Sequence, residues 1–531
     1  PGSSPGRGAI NWQQRLPFRV AFLLCSNGKQ PKRVAARTSV ATHRPSGGVE
    51  NTDVRPTLHH DELSLPAMNT LDQLHCGDLR GARQVKLACG LTAFPRALFE
   101  LADTLEILDL SGNALTSLPD DLNRLSKLRI LFCSDNQFTE LPEVLGRCPQ
   151  LSMVGFRANQ IRTVSEKGLP PLLRWLILTD NRINELPAQI GDCTQLQKLM
   201  LSGNQLKTLP PELSRCSRLE LLRVAANQLT ELPEWLMTMP RLSWLAYAGN
   251  PFCEAPGRSA QVATPIASIP WDRLRIVHPL GEGASGVIYM AELFHRDQVQ
   301  PVAVKIFKGD ITSDGLPMSE MTTCLQAGKH PGLIPVLGRI AHHPAGANGL
   351  VMSLIDTRFR NLAAPPSLQS CTRDVYAQGV RFDLTAILRL TLDIAAAAHH
   401  LHQQGIIHGD LYAHNILHEE QGRALLGDFG AASLYPPGPS ALHSRLQQLE
   451  VRAFGCLLEE LVERSDMPAD SDDRLTTLHQ LKARCLSDIP TSRPSFQEIE
   501  QELGMIASTY AKHGLIPAET MPVLVKQPAK A

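Results

Sequence analysis

Two carboxylates and an amide stand close together late in this chain: Asp410, Asn415 and Asp428. Asn415 and Asp428 end in hard oxygen donors, the type that suits a small divalent cation such as Mg²⁺. Asp410 could accept the proton of an incoming hydroxyl. Their setting is Ile407-His408-Gly409-Asp410-Leu411-Tyr412-Ala413-His414-Asn415-Ile416-Leu417, followed by Gly427-Asp428-Phe429-Gly430. Well upstream runs Leu280-Gly281-Glu282-Gly283-Ala284-Ser285-Gly286-Val287. Glycines there would let backbone amides close over phosphate oxygens. Alone this loop is weak evidence, because any glycine-rich turn can look alike. Here Val287 follows the third glycine and β-forming residues flank the turn, so the reading is a hairpin and not the strand–helix turn of a dinucleotide fold. Next comes Val302-Ala303-Val304-Lys305, a strand ending in a cation that can pair with phosphates. Glu320 lies in a segment that reads as helix up to Gly328 and is the best-placed acid to hold Lys305. Taken singly, each residue could be structural.

Taken together, in this order and spacing, the motifs resemble the protein-kinase superfamily across residues 271–507. The resemblance implies a bilobal fold that binds ATP and Mg²⁺. Leu280, Gly281, Glu282, Gly283, Ser285, Gly286, Val287, Ala303 and Lys305 would line the nucleotide site. Lys305 and Glu320 would orient ATP, Asp410 would be the base, and Asn415 and Asp428 would hold the metal. Phosphoryl transfer is mostly positioning and charge neutralisation, which is why it needs these residue types.

The resemblance frays at specific places. Gly409 stands where such kinases usually carry arginine, which argues against activation by loop phosphorylation. Tyr412 replaces the lysine of serine/threonine kinases, and His414 stands where tyrosine kinases carry arginine and could contact a phosphate. Only 22 residues separate Asp428 from Glu450 (450 − 428 = 22), and they lack Ala-Pro-Glu, which leaves Arg493 without its usual partner. Asp356 to Phe382 reads as an insertion that could cover part of the substrate face. Two readings therefore stand: an active kinase, expected to act on Ser or Thr, and a non-catalytic nucleotide-binding scaffold.

The elements ahead of this module are repetitive. Leu-x-x-Leu-x-Leu-x-x-Asn occurs at Leu105–Asn113, Leu173–Asn181 and Leu196–Asn204, and more loosely four more times. Asn113, Asn136, Asn159, Asn181, Asn204, Asn227 and Asn250 are spaced by 23, 23, 22, 23, 23 and 23 residues. This pattern resembles the leucine-rich repeat, in which one unit cannot bury its own leucines and stacking is obligatory. The fold class expected is multi-domain, α/β plus α+β: a leucine-rich-repeat solenoid followed by the bilobal kinase-like fold. The architecture resembles bacterial leucine-rich-repeat proteins with a C-terminal protein kinase domain.

Positions between the leucines should face the concave side. They are unusually apolar, with Trp175, Trp244, Phe132 and Met200 among them, while Arg223 stands in the same column as Met200. An exposed apolar face points to a protein partner or substrate, with the tryptophans as anchors. The alternative is that another part of the chain covers it.

Boundaries follow from composition. Residues 1–67, rich in Pro, Gly, Ser and Arg, are expected to be disordered or foreign to the natural product. The repeat domain takes 68–255, a linker 256–270, the kinase-like domain 271–507 and a loose tail 508–531. Lys plus Arg and Asp plus Glu are 52 each, which favours neither nucleic acid nor an acidic membrane. No apolar run approaches the roughly 20 residues of a membrane helix. The 12 cysteines form no Cys-x-x-Cys pair, which points to a reducing, cytoplasmic setting.

Overall fold

In the computed structural model, residues 68–253 and 267–511 are described, apart from 284, 296–297, 309–310, 313, 436–439 and 469–471. The N-terminal extension 1–67, the linker stretch 256–266 and the tail 512–531 lie outside the described residues.

The repeats stack into one parallel sheet of eight three-residue strands, from Gln84–Lys86 through Leu221–Arg223 to Trp244–Ala246. Each strand pairs in register with its neighbour, so Ile107 stands beside Ile130 and Trp244 beside Leu221. The asparagines bind the stack internally. The buried Asn204 accepts from the Ile183 amide at 3.0 Å and donates to the Leu178 and Leu201 carbonyls at 2.9 Å each. The same three-bond pattern recurs at Asn113, Asn136, Asn181, Asn227 and Asn250. Buried backbone groups must be paired, and one carboxamide per turn meets that demand where the chain leaves the sheet. Cys148, Cys193 and Cys216 lie in the core of the repeat stack, buried and unbridged. Burial drives their thiols up, Cys148 and Cys193 to about 11 and Cys216 to about 12, so they act as small apolar side chains.

The second module has two lobes. Its smaller lobe is a six-stranded sheet built round the hairpins Leu274–Glu282, Gly286–His295 and Gln298–Phe307, with the helix Pro317–Ala327 against it. That helix stops at Gly328, whose φ of 69° lies in the left-handed region that ends helices. The larger lobe is mainly helical, with Leu384–Gln403, Ser440–Val462, Asp473–Cys485 and Phe496–Ala511. Asp383 caps the first of these by accepting from the Ala386 amide at 2.8 Å. The long helix begins at Ser440, so Glu450 lies ten residues inside it (450 − 440 = 10). Among the described residues, no helix is long and apolar enough to cross a membrane.

The repeat sheet packs its concave side directly on the second module. Met200, Leu221 and Trp244 join the core of the larger lobe, and Ala225 and Ala246 pack against Ala431. Leu368 and Cys371, from the insertion 356–382, cover Ile107, Ile130, Phe132 and Met153. The Tyr247 hydroxyl donates to the Leu434 carbonyl of the second module at 3.1 Å. This corrects the expectation of an open face for another protein. Trp244, Phe132 and Met200 are buried and Trp175 is half-buried, all beneath the chain's own second module. The apolar column is explained by intramolecular burial, and the insertion covers the repeat face as well as its own lobe.

Candidate active site

Lys305 stands third from the end of the strand Gln298–Phe307, paired with Ile288 on one side and Leu350 on the other. Its ammonium reaches Glu320 on the helix Pro317–Ala327 in a buried ion pair. Burial disfavours the lysine charge, but Glu320 and then Asp428 outweigh it and hold the ammonium above its usual value. The hairpin closes with Glu282 opposite Val287 and Gly281 opposite Ile288. Gly286 has no room for a side chain, since a Cβ would lie 2.4 Å from the Ile306 carbonyl oxygen. Ala303 and Leu417 form one apolar cluster with Leu280, Ile288 and Met352 beside it, so two sheets supply facing apolar walls.

Below this, Asp410 and Asn415 meet, and the Asp428 motif is tied to them through the backbone. The Asn415 amide nitrogen donates to both the Asp410 carbonyl and its Oδ2, at 2.9 Å each. The Gly427 amide donates to the Asn415 carbonyl at 2.9 Å, tying the second motif to the first. Asp428 has φ of 52°, and its Oδ1 accepts from the Gly430 amide at 3.1 Å. The Asn415 Oδ1 is buried and accepts no hydrogen bond from the protein. A buried carbonyl oxygen left unpaired beside the Asp410 carboxylate is compatible with a cation ligand, and the oxygen donors of Asn415 and Asp428 are of the type that suits a divalent ion. Asn415 and Asp428 would hold it, and it would supply charge neutralisation at phosphate oxygens.

Sequence reasoning did not assign Arg223 to this site. It is the last residue of the repeat strand Leu221–Arg223, it is 1% exposed, and it enters the second module. Nε donates to Asp314 at 3.0 Å, Nη1 to the Gly409 carbonyl at 2.9 Å, and Nη2 to Asp410 Oδ1 in a close ion pair. Burial opposes the guanidinium charge, yet Asp410 and Asp314 more than offset it. Burial likewise raises Asp410, while Arg223, His414 and His408 hold its carboxyl below the usual range. The available signal was one arginine in an otherwise mostly apolar column.

The departures from the motif now have physical causes. Gly409 has φ of 71°, and a Cβ there would stand 2.6 Å from the Leu245 carbonyl oxygen of the repeat sheet. Tyr412 stacks on Trp244 with ring centroids 4.1 Å apart. His414 does not point toward a phosphate position: its Nδ1 pairs with Asp374 of the insertion at 2.7 Å, and its backbone amide donates to the same carboxylate at 3.0 Å. Arg493 donates to the Gln448 carbonyl at 2.9 Å and, across the modules, to the Pro240 carbonyl at 2.7 Å.

Residues 274–452 match the family model described as protein tyrosine and serine/threonine kinase. Residues 171–229 and 194–252 match one leucine rich repeat model, and 104–125 match another. The chain carries leucine-rich repeats and a protein-kinase domain. The chain is similar to fibroblast growth factor receptor 1 of Pleurodeles waltl, at 25% identity over 292 residues, covering 45% of this chain and 35% of that protein. Similarity to fibroblast growth factor receptor 1 of Xenopus laevis is also 25%, over 290 residues, covering 44% and 35%. The chain thus spans about a third of the length of these curated relatives.

Proposed function

We propose that the chain is an ATP- and Mg²⁺-dependent protein kinase that phosphorylates Ser or Thr hydroxyls. One observation carries this reading: the buried Asn415 keeps an unpaired Oδ1 beside Asp410, the Gly427 amide ties the Asp428 motif to Asn415, and the Lys305–Glu320 pair is intact. Lys305 would hold phosphate oxygens, Glu320 would fix Lys305, and Asp410 would take the hydroxyl proton. The absence of Cys-x-x-Cys pairs and the unbridged buried cysteines fit a reducing, cytoplasmic setting. The protein-kinase match extends over both motif groups, and leucine-rich repeats generally meet proteins, here the chain's own second module.

A second reading, a nucleotide-binding scaffold, is favoured by the engagement of Asp410 by Arg223. Labelled ATP separates the two. The kinase reading expects Mg²⁺-dependent incorporation of phosphate into purified protein, on phosphoserine or phosphothreonine, abolished by Asp428→Ala. Nucleotide binding without any incorporation would favour the scaffold.

A further inference from the structure

The acceptor side of the site is closed by the chain itself. A hydroxyl that gives its proton to Asp410 must come within roughly 2.6–3.2 Å of a carboxylate oxygen. Oδ1 of Asp410 is taken by Arg223 and Oδ2 by Asn415. The approach beside it is filled by Trp244, whose indole nitrogen donates to the Leu411 carbonyl at 3.1 Å and whose ring covers Tyr412. The nucleotide side differs: Lys305 and Glu320 remain paired across strand and helix. From this contrast, and resting on the kinase reading above, we propose that the repeat domain is an intramolecular inhibitor of protein phosphorylation, with Arg223 occupying the place of the substrate hydroxyl on Asp410.

Several independent contacts make this a built arrangement. Arg223 has a second acidic partner, Asp314, in the segment that leads into the helix bearing Glu320. Gly409 leaves space for the Leu245 carbonyl that any side chain would fill. Glu220, at the edge of the same repeat strand, accepts from the Thr372 hydroxyl of the insertion. Tyr247 and Arg493 bond across the same boundary on the far side. Three of the Arg223 donors are committed to Asp314, Gly409 and Asp410, which suits a plug better than a phosphate-contacting role. Phosphorylation of a second protein therefore requires the repeat sheet to leave the catalytic loop, while nucleotide can be held before it does.

The test uses the full chain, with myelin basic protein as acceptor and labelled ATP as donor. Arg223→Ala removes the plug and Arg223→Lys keeps a charge without the fork geometry. A charge-assisted contact of this kind predicts a gain on the order of tenfold or more in transfer rate for Arg223→Ala, a smaller gain for Arg223→Lys, and unchanged nucleotide affinity. Faster amide exchange over residues 409–412 in Arg223→Ala would show that the loop has been released. A measurable wild-type rate that stays the same or falls in Arg223→Ala overturns the inhibitor, and a fall would make Arg223 part of the transfer machinery. No transfer by either protein, with nucleotide bound equally by both, removes the kinase reading and the inhibitor with it.

Discussion

The indole of Trp244 and the phenol of Tyr412 lie 8° from parallel, one from the repeat sheet and one from the catalytic loop. Both are buried, and they join what would otherwise be two separate cores. Trp244→Ala removes this large contact and leaves the Leu411 carbonyl without its donor. Losses of about 3–5 kcal/mol are usual for such truncations. Calorimetry should show one transition for the wild type and two for the variant, one per module, because the link between them is weakened.

Gly409→Ala should act at the same boundary with one atom. The residue is in the left-handed region and its new Cβ would meet the Leu245 and Ala431 carbonyl oxygens at 2.6 and 2.7 Å. Backbone atoms cannot swing aside as a flexible side chain can. Faster amide exchange at Trp244–Ala246 is expected, and exchange identical to wild type would mean that the two backbones are not in contact.

The asparagine ladder predicts a graded stability series. Asn204→Ala strands three buried backbone groups, at a cost on the order of 3–5 kcal/mol. Asn113 makes equivalent bonds at the half-buried end of the stack, where water can replace them. Asn113→Ala should therefore lower the urea midpoint less than Asn204→Ala.

Two histidines should give opposite pH dependences. Burial disfavours protonation of His414, but Asp374 and then Asp410 outweigh it, so its folded pKa lies above the ordinary 6.5. Its stabilising contribution is complete below that ordinary value and is lost as pH rises through the folded one. His418 is the reverse: burial, then Arg360, holds it down to about 4. Its contribution is present above 6.5 and fades as pH falls toward 4, a change of at most about 3 kcal/mol. Melting curves of His414→Gln and His418→Gln against pH should each lose the corresponding slope.

Much of this molecule was legible from local pattern. The asparagine spacing gave the stacked strands because each unit repeats the same internal hydrogen bonds, and Gly328 marked a helix end because few other residues tolerate its φ. Lys305, Glu320, Asp410, Asn415 and Asp428 could be grouped because their order along the chain is tied to motifs. What stayed hidden depends on contact between modules. Arg223 belongs to one repeat and meets Asp410, 187 residues later (410 − 223 = 187), so no local spacing relates them. The apolar column read as a docking face was a core half whose other half lay in distant sequence. Gly409, Tyr412 and His414 looked like losses from the motif, and each is a fit to a surface that the motif does not contain.

We propose that a phosphotransfer centre built on Asp428 lies beneath the repeat domain. It is tested most directly by measuring transfer of labelled phosphate to myelin basic protein in the full chain carrying Arg223→Ala, alone and combined with Asp428→Ala. We expect the single variant to transfer phosphate and the double variant to transfer none, although both fold. Equal transfer by the two proteins would contradict the account.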